Sequence, residues 1–229
     1  MKTIILFIFF PLLSFSQNII QEKDLLGEDL SFENSYYSEG IRQYAFGNFQ
    51  EAILQFNKAL NLSPEQESIY ANRADAKFAL NDFRGAILDY GKSIELNPTN
   101  YSYNNRGLAK FKLEDFRGAI NDYNLALIEV EKEINKPRTD PEFTNDYDKE
   151  QKAKIQSNRG NAKFMLHDFI GAISDYDLAL EHYDIDLTYF NRGIAKIKLG
   201  QKDTGCLDLS KSGELGLAQA YDIIKKYCN

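Results

Sequence analysis

Side chains that could act as nucleophiles, acid/base groups or metal ligands occur in this chain without the spacing that such chemistry needs. His167 and His182 are the only histidines, and neither belongs to an HExxH motif or to another paired metal-ligand spacing. The chain also lacks a GxSxG motif, a glycine-rich phosphate loop and a Walker motif. We therefore expect no catalytic residue, no metal site and no cofactor, and we do not predict an enzyme.

The carboxylates are numerous, but they recur at regular intervals along the chain. Regular recurrence is typical of solvated helix faces and ion pairs, whereas acid/base catalysis needs one particular pair. Asp146 and Asp148 resemble the start of a calcium-binding loop. Gln151, however, stands where such a loop needs a glycine for its sharp turn, so we reject a calcium site.

The two cysteines, Cys206 and Cys228, are candidates for a disulfide. Cys206 is expected at the start of one helix and Cys228 at the end of the next. If these helices run antiparallel about a turn near Gly213 to Gly216, the two sulfur atoms meet. The alternative is that both cysteines are small buried apolar side chains. A disulfide would require an oxidising compartment.

The N-terminal residues predict export to such a compartment. Lys2 followed by the apolar run 3–15 has the layout of a secretory signal peptide, residues 1–16, with cleavage expected after Ser16. The run is interrupted by Pro11 and is shorter than the roughly 20 residues of a transmembrane helix. We expect a secreted or periplasmic protein with no stable membrane insertion after cleavage. The role of the following segment, residues 17–32, stays open.

The chain is acidic, with a formal net charge of −7 at pH 7. An acidic chain repels the phosphate backbone of DNA and RNA, so nucleic acid is not an expected partner.

The elements that position these side chains repeat along the chain. The segment YANRADAKFALNDFRGAILDYGKSI from Tyr70 closely matches YNNRGLAKFKLEDFRGAINDYNLAL from Tyr103. A column of small residues recurs at intervals of 34, 33, 53 and 33 residues: Gly40, Ala74, Gly107, Gly160 and Gly193. A column of bulky residues recurs with it: Phe56, Tyr90, Tyr123 and Tyr176. A fixed period of this length indicates a stacked array of helical hairpins.

This pattern resembles the tetratricopeptide repeat (TPR) family. The resemblance implies an all-α fold, a right-handed α-solenoid of five hairpins from residue 33 to 229, in which each hairpin covers the apolar face of its neighbour. The expected repeats are about 33–66, 67–99, 100–133, 153–185 and 186–216. An insertion arm is expected at 134–152 and a capping helix at 217–228.

The resemblance also implies a concave groove, lined by the first helix of each repeat, that binds a peptide or protein segment. The residues expected there are Tyr37, Ile41, Tyr44, Asn72, Asp75, Phe78, Tyr101, Asn105, Leu108, Phe111, Asn158, Asn161, Phe164, Phe190 and Asn191. Asparagine can donate to and accept from an extended main chain, and aromatic side chains fill pockets. Phe78, Phe111 and Phe164 could alternatively serve only to pack neighbouring repeats.

Four repeats also place an arginine in the first helix and an aspartate in the second. The pairs are Arg73 with Asp89, Arg106 with Asp122, Arg159 with Asp175 and Arg192 with Asp208. In the first repeat both members differ, with Glu39 and Gln55 at these positions. We predict an ion pair inside each hairpin; the alternative is two independent solvated charges.

These features predict a protein-interaction scaffold of bacterial type that works in the cell envelope or outside the cell. Its expected partner is a protein or peptide, held in the groove. The alternative is an accessory or inhibitory subunit of an exported enzyme or secretion complex, bound through the 134–152 arm. The identity of the partner and the oligomeric state stay open.

Overall fold

The computed structural model describes residues 32–136, 145–181 and 183–228, and within them the chain forms eleven helices and no strand. The predicted signal peptide, residues 17–31 of the N-terminal segment and residues 137–144 of the arm lie outside the described residues. Among the helices that are described, none has both the length and the apolar character needed to cross a membrane.

The helices follow one another in pairs along the chain. In chain order they are α1 (Phe32–Ala45), α2 (Phe49–Leu62), α3 (Glu67–Ala79), α4 (Phe83–Leu96), α5 (Asn100–Lys112), α6 (Phe116–Ile134), α7 (Asn145–Met165), α8 (Phe169–Leu180), α9 (Asp186–Lys198), α10 (Lys202–Glu214) and α11 (Gln219–Tyr227). Pro64 and Pro98 follow α2 and α4 by two residues, where a residue without an amide proton cannot continue a helix.

The tight turns after α1, α3, α5, α7 and α9 share one backbone feature. Each contains a residue with a left-handed φ between 61° and 80°: Gly47, Asn81, Glu114, His167 and Gly200. A left-handed residue after the last helical turn ends a helix and reverses the chain. Asp82 and Asp168 then begin the next helix, because their carboxylates accept the amide protons of Gly85 and Gly171 at 3.0 and 2.9 Å.

The described residues form two compact units, 32–115 and 116–228. In the first unit, each helix from α1 to α5 packs against the next. In the second unit, the same holds from α6 to α11. Packing of consecutive helix pairs is typical of TPR solenoids, and the all-α prediction is confirmed.

Bulky second-helix side chains fill the space that small first-helix residues leave. Phe56 and Tyr176 are buried, and a Cβ atom added to Gly40 or Gly160 would lie 2.5 or 2.7 Å from their rings. The crossing of α9 and α10 is closer still. There a Cβ atom on Gly205 would lie 2.7 Å from the backbone oxygen of Gly193. Small residues therefore set how near the two helices of a hairpin approach.

The predicted arm is the extension of α6 and α7 beyond the length of the other hairpins. α6 continues to Ile134, and α7 begins at Asn145. Val130 and Ile155 are buried, and Lys152 forms an ion pair with Glu131 at 2.7 Å. The base of the arm is thus packed in the same way as the hairpins.

The end of the chain is joined to the last hairpin by the predicted disulfide. Cys206 in α10 and Cys228 after α11 are bonded, with 5.8 Å between their Cα atoms. Ala220 is buried in the core of the last hairpins, and Ile224 packs against the same core. Tyr221 is 56% exposed, and its ring covers Gly213.

Candidate functional site

In residues 32–115, six of the predicted binding residues are half-buried on the first helices α1, α3 and α5. They are Tyr37, Ile41, Tyr44, Asn72, Phe78 and Tyr101, and we call them the first-helix face. Hydrogen bonds join its helices. The Nδ2 of Asn72 donates to the Oη of Tyr37 at 2.7 Å, and the hydroxyl of Tyr101 donates to the carboxylate of Asp75.

Asp75 lies at the centre of this unit, and only 7% of its surface is exposed. Tyr90 donates to one carboxylate oxygen and Tyr101 to the other. Burial raises the pKa of Asp75 to about 7, although both hydrogen bonds act to lower it. Burial, with a contribution from the charge of Asp75, also raises the pKa of Tyr44 to about 12. Asp75 therefore connects α3, α4 and α5, with Tyr44 of α1 nearby.

The other predicted residues of this unit, Asn105, Leu108 and Phe111, are buried. Asn105 accepts a hydrogen bond from Asn104 at 3.0 Å and also bonds to Tyr101. Asn105 thus contacts the first-helix face through Tyr101. The part of all three residues in binding stays a prediction.

In residues 116–228, the predicted binding residues are all buried. They are Asn158, Asn161, Phe164, Phe190 and Asn191. The Oδ1 of Asn161 accepts from Tyr176 at 2.8 Å and from Asn191 at 2.9 Å. Asn161 thus has the position in its repeat that Asp75 has in residues 32–115, with a neutral amide in place of a carboxylate. Its role in binding also stays a prediction.

The aromatic residues that end the first helices pack within their own hairpins. Phe78 meets Phe83 edge to face, with ring centroids 5.1 Å apart, and Phe164 meets Phe169 in the same way at 5.0 Å. Tyr44 and Phe49 form the corresponding pair at 5.3 Å. Phe78 and Tyr44 nevertheless remain half-buried, so packing within the hairpin does not bury either residue completely.

The predicted ion pairs are present in three hairpins. Arg73 pairs with Asp89, Arg159 with Asp175 and Arg192 with Asp208, each at 2.6 Å. Arg106 and Asp122 lie in different units, so the ion pair between them stays a prediction.

Sequence reasoning missed two further partners of these pairs. The lysine four residues after each arginine reaches the same aspartate, as Lys77 reaches Asp89 at 2.6 Å. Each arginine also donates to the preceding second helix, as Arg73 donates to Asn57 at 2.6 Å. Equivalent donations reach Asn124 and Asp177. The recurring lysine column was a visible signal, whereas the contact with the preceding repeat was not.

A separate pocket of about 190 Å³ opens at the base of the arm. It is lined by residues of α6, α7 and α8, by Glu181 and by Tyr183, whose hydroxyl donates to the backbone oxygen of Asp146 at 2.7 Å. Lys149, Glu181 and the ion pair between Lys152 and Glu131 contribute its charged groups. Within the described residues, the pocket included, no cluster of three or more His, Cys, Asp or Glu side chains could hold a metal ion.

Comparison with known proteins agrees with this geometry. Residues 67–100 match the tetratricopeptide repeat family. The match covers the α3–α4 hairpin and the first residue of α5, and it includes Asn72 and Phe78 of the first-helix face. No curated protein sequence matches the chain.

Several solved structures have a similar fold. MamA from Desulfovibrio magneticus RS-1 is 14% identical, with a TM-score of 0.68, 82% of this chain covered and 96% of that one. PilF of Pseudomonas aeruginosa is also 14% identical, with a TM-score of 0.65 and coverages of 80% and 76%. YrrB, described as a TPR protein with an unusual peptide-binding site, is 15% identical, with a TM-score of 0.59 and coverages of 93% and 99%. At these identities the likeness shows the fold alone.

Proposed function

We propose that this protein is a non-enzymatic interaction scaffold whose first-helix face binds a segment of another protein. The observation that carries the proposal is the row of half-buried Tyr37, Tyr44, Phe78 and Tyr101 side chains on adjacent helices. Partly accessible aromatic side chains held by a rigid scaffold are typical of the energetically dominant positions of protein interfaces. The peptide-binding site named for the similar YrrB structure supports the same proposal.

The polar groups of the face suit an extended partner segment. Asn72 uses its Nδ2 to donate to Tyr37, and its Oδ1 can accept a main-chain N–H of the partner. The aromatic rings on either side offer apolar contact for alternate side chains of that segment. Because Asn72 and Tyr37 are already hydrogen-bonded to each other, these two side chains would lose little conformational entropy on binding.

We further propose that the protein works after export, in a bacterial cell envelope or outside the cell. Two features support this location. Residues 1–16 have the pattern of a signal peptide. The disulfide between Cys206 and Cys228 is of a kind that oxidising compartments maintain and the cytosol reduces.

Selection from a random dodecapeptide display library tests the proposed face. Peptides selected on the purified chain should bind the Tyr37→Ala, Tyr44→Ala double variant at least about tenfold more weakly, because both substitutions remove aromatic contact area. The matched control is Leu88→Ala on α4, which removes a side chain that is 75% exposed and lies outside the face. The control should bind unchanged. Failure to select any peptide, or equal binding by the double variant, would contradict the proposal.

A second candidate function is favoured by the pocket beside the arm. In that case the protein is an accessory or inhibitory subunit of an exported enzyme or secretion complex, and a partner side chain enters the pocket of about 190 Å³. Lys149→Glu with Tyr183→Ala changes the lining of this pocket and leaves the first-helix face intact. Once a protein partner is known, loss of its binding in this variant but not in the Tyr37, Tyr44 variant would favour the accessory function.

A further inference from the structure

We propose that the partner segment places a basic side chain, lysine or arginine, against Tyr44 and Tyr101, with its cation directed at Asp75. This inference rests on the proposed function of the first-helix face. It specifies the chemistry of one position in the partner.

The first argument is that Asp75 is a buried carboxylate whose donors are neutral. Its hydrogen bonds come from the hydroxyls of Tyr90 and Tyr101, and within the described part of the chain it forms no ion pair. Asp89, in the same unit and equally buried, is instead paired with Arg73 and Lys77, both at 2.6 Å. The fold thus supplies cations to the buried Asp89 and none to Asp75.

The second argument is electrostatic. Removing a carboxylate from water without a counter-ion disfavours its charged form, and accordingly burial raises the pKa of Asp75. A cation brought next to the carboxylate by a partner would restore the charged form of Asp75. The cation would itself be partly withdrawn from water, and its attraction to the carboxylate is stronger in that less polar environment than in water. A cation would therefore stabilise the charged form of Asp75 more than a neutral donor would.

The third argument concerns the aromatic rings. Tyr44 and Tyr101 are half-buried on two different first helices, and the charge of Asp75 influences the hydroxyls of both. A lysine or arginine head group is attracted to the face of a tyrosine ring. The same chain already uses this contact, with Arg73 over Tyr70 at 5.4 Å and Arg192 over Tyr189 at 5.2 Å.

The fourth argument is that the acidic character is local to this position. The equivalent first-helix residues of the other repeats are Ile41, Leu108, Asn161 and Ile194, none of which carries a charge. The net charge of −7 would in addition attract a basic segment at long range. One basic side chain, placed opposite α3, is therefore the expected specificity element.

The test uses the purified full chain and the same dodecapeptide library at pH 8. We expect the selected sequences to be enriched in lysine or arginine at one position. Replacement of that lysine by norleucine, or of an arginine by citrulline, should weaken binding to the wild-type chain about tenfold or more. This comparison needs no protein variant, so it does not depend on whether a substitution disturbs folding.

Two protein variants then locate the effect. Asp75→Asn keeps one side-chain oxygen that can accept from a tyrosine hydroxyl, as the oxygen of Asn161 accepts from Tyr176. Circular dichroism checks that this variant is folded. It should bind the basic peptide and its neutral analogue equally well. Glu65→Gln removes one exposed charge of the same unit and should retain the full preference.

The possible results separate this inference from the proposed function. If no peptide is selected, both are wrong. If peptides are selected without a basic position, if the neutral analogues bind as tightly, or if Asp75→Asn keeps the preference, the inference is overturned and the proposed function stands.

Discussion

Arg73 and Asp89 form a two-point ion pair between the two helices of one hairpin. The Nε and Nη2 atoms of Arg73 donate to the two carboxylate oxygens of Asp89 at 2.8 and 2.6 Å. The Nη1 atom donates to Asn57 in the preceding second helix at 2.6 Å. One guanidinium group therefore joins its own hairpin internally and also joins it to its neighbour, which is the geometry that arginine fits and lysine does not.

We expect the Arg73–Asp89 pair to stabilise the fold measurably. Arg73 is 17% and Asp89 7% exposed at the side chain, so the pair lies between the exposed and the fully buried case. Asp89→Ala should lower the free energy of unfolding by about 1–3 kcal/mol, since it leaves Arg73 and Lys77 close together without a carboxylate. A double-mutant cycle with Arg73→Ala, followed by urea unfolding, measures the coupling.

The matched control is the pair of Arg42 and Glu39, which is exposed on a single helix at 2.8 Å. It should show no measurable coupling in the same cycle. Equal coupling energies for the two pairs would show that the burial of Asp89 and its contact with two cations have no energetic effect.

Much of the fold could be predicted because it depends on columns that recur. Gly40 and Gly160 face bulky rings, and the three arginine–aspartate pairs within a unit form as expected, because each depends on the spacing inside one hairpin. The disulfide was predictable for a similar reason. Only one turn separates α10, which carries Cys206, from α11, which Cys228 directly follows.

The candidate site could be predicted only in outline. The helix faces were visible in the sequence, but the extent of burial of Asn158, Asn161 and Asn191 was not. Burial depends on how closely neighbouring repeats approach. The contact of Asp75 with Tyr101 was also hidden, because the other repeats do not have aspartate at that position and no column points to it.

Asp75 should make stability depend on pH between about 4 and 7. Its pKa is about 7 in the folded chain and ordinarily 3.8, so in this window the folded chain binds more protons than the unfolded chain. The free energy of unfolding should therefore fall as pH rises, by at most about 1.4 kcal/mol per pH unit for this one group. The neighbouring Tyr44, Tyr90 and Tyr101 have raised pKa values and stay neutral throughout the window.

Asp75→Asn removes this titration and serves as the reference. Urea unfolding at pH 4.5, 5.5, 6.5 and 7.5 should show the variant gaining stability relative to the wild type as pH rises. A constant difference between the two proteins across the four pH values would show that Asp75 does not titrate in this window.

The close crossing of α9 and α10 should not tolerate a larger residue. A Cβ atom on Gly205 would lie 2.7 Å from the backbone oxygen of Gly193 and 2.7 Å from Ile197, and a backbone atom cannot move aside as a flexible side chain can. Gly205→Ala should therefore cost about 1–3 kcal/mol in thermal or urea unfolding, although alanine occupies this column in the other repeats.

Gly91→Ala is the control for this substitution. Gly91 also lies within a helix, but the nearest atom to an added Cβ is Nη1 of Arg106 at an ordinary 3.7 Å. Its replacement should leave stability unchanged or raise it by up to about 1 kcal/mol, since alanine favours the helix. Equal destabilisation by both substitutions would exclude the close crossing as the cause.

Reduction of the Cys206–Cys228 disulfide should loosen the end of the chain and leave the first hairpins unaffected. The bond closes a segment with a sequence separation of 22, for which the chain-entropy relation gives a stabilisation of about 3 kcal/mol. Each hairpin of a repeat array contacts only its neighbours, so the loss should be local. Hydrogen exchange should therefore be faster in Gln219–Tyr227 when a phosphine reductant is present than when it is absent, and it should be unchanged in Glu67–Ala79.

The Cys206→Ser, Cys228→Ser double variant should reproduce the reduced protein without reductant. Uniform acceleration in both helices would contradict a local role, and two reactive thiols in unfolded, unreduced protein would show that the bond is absent.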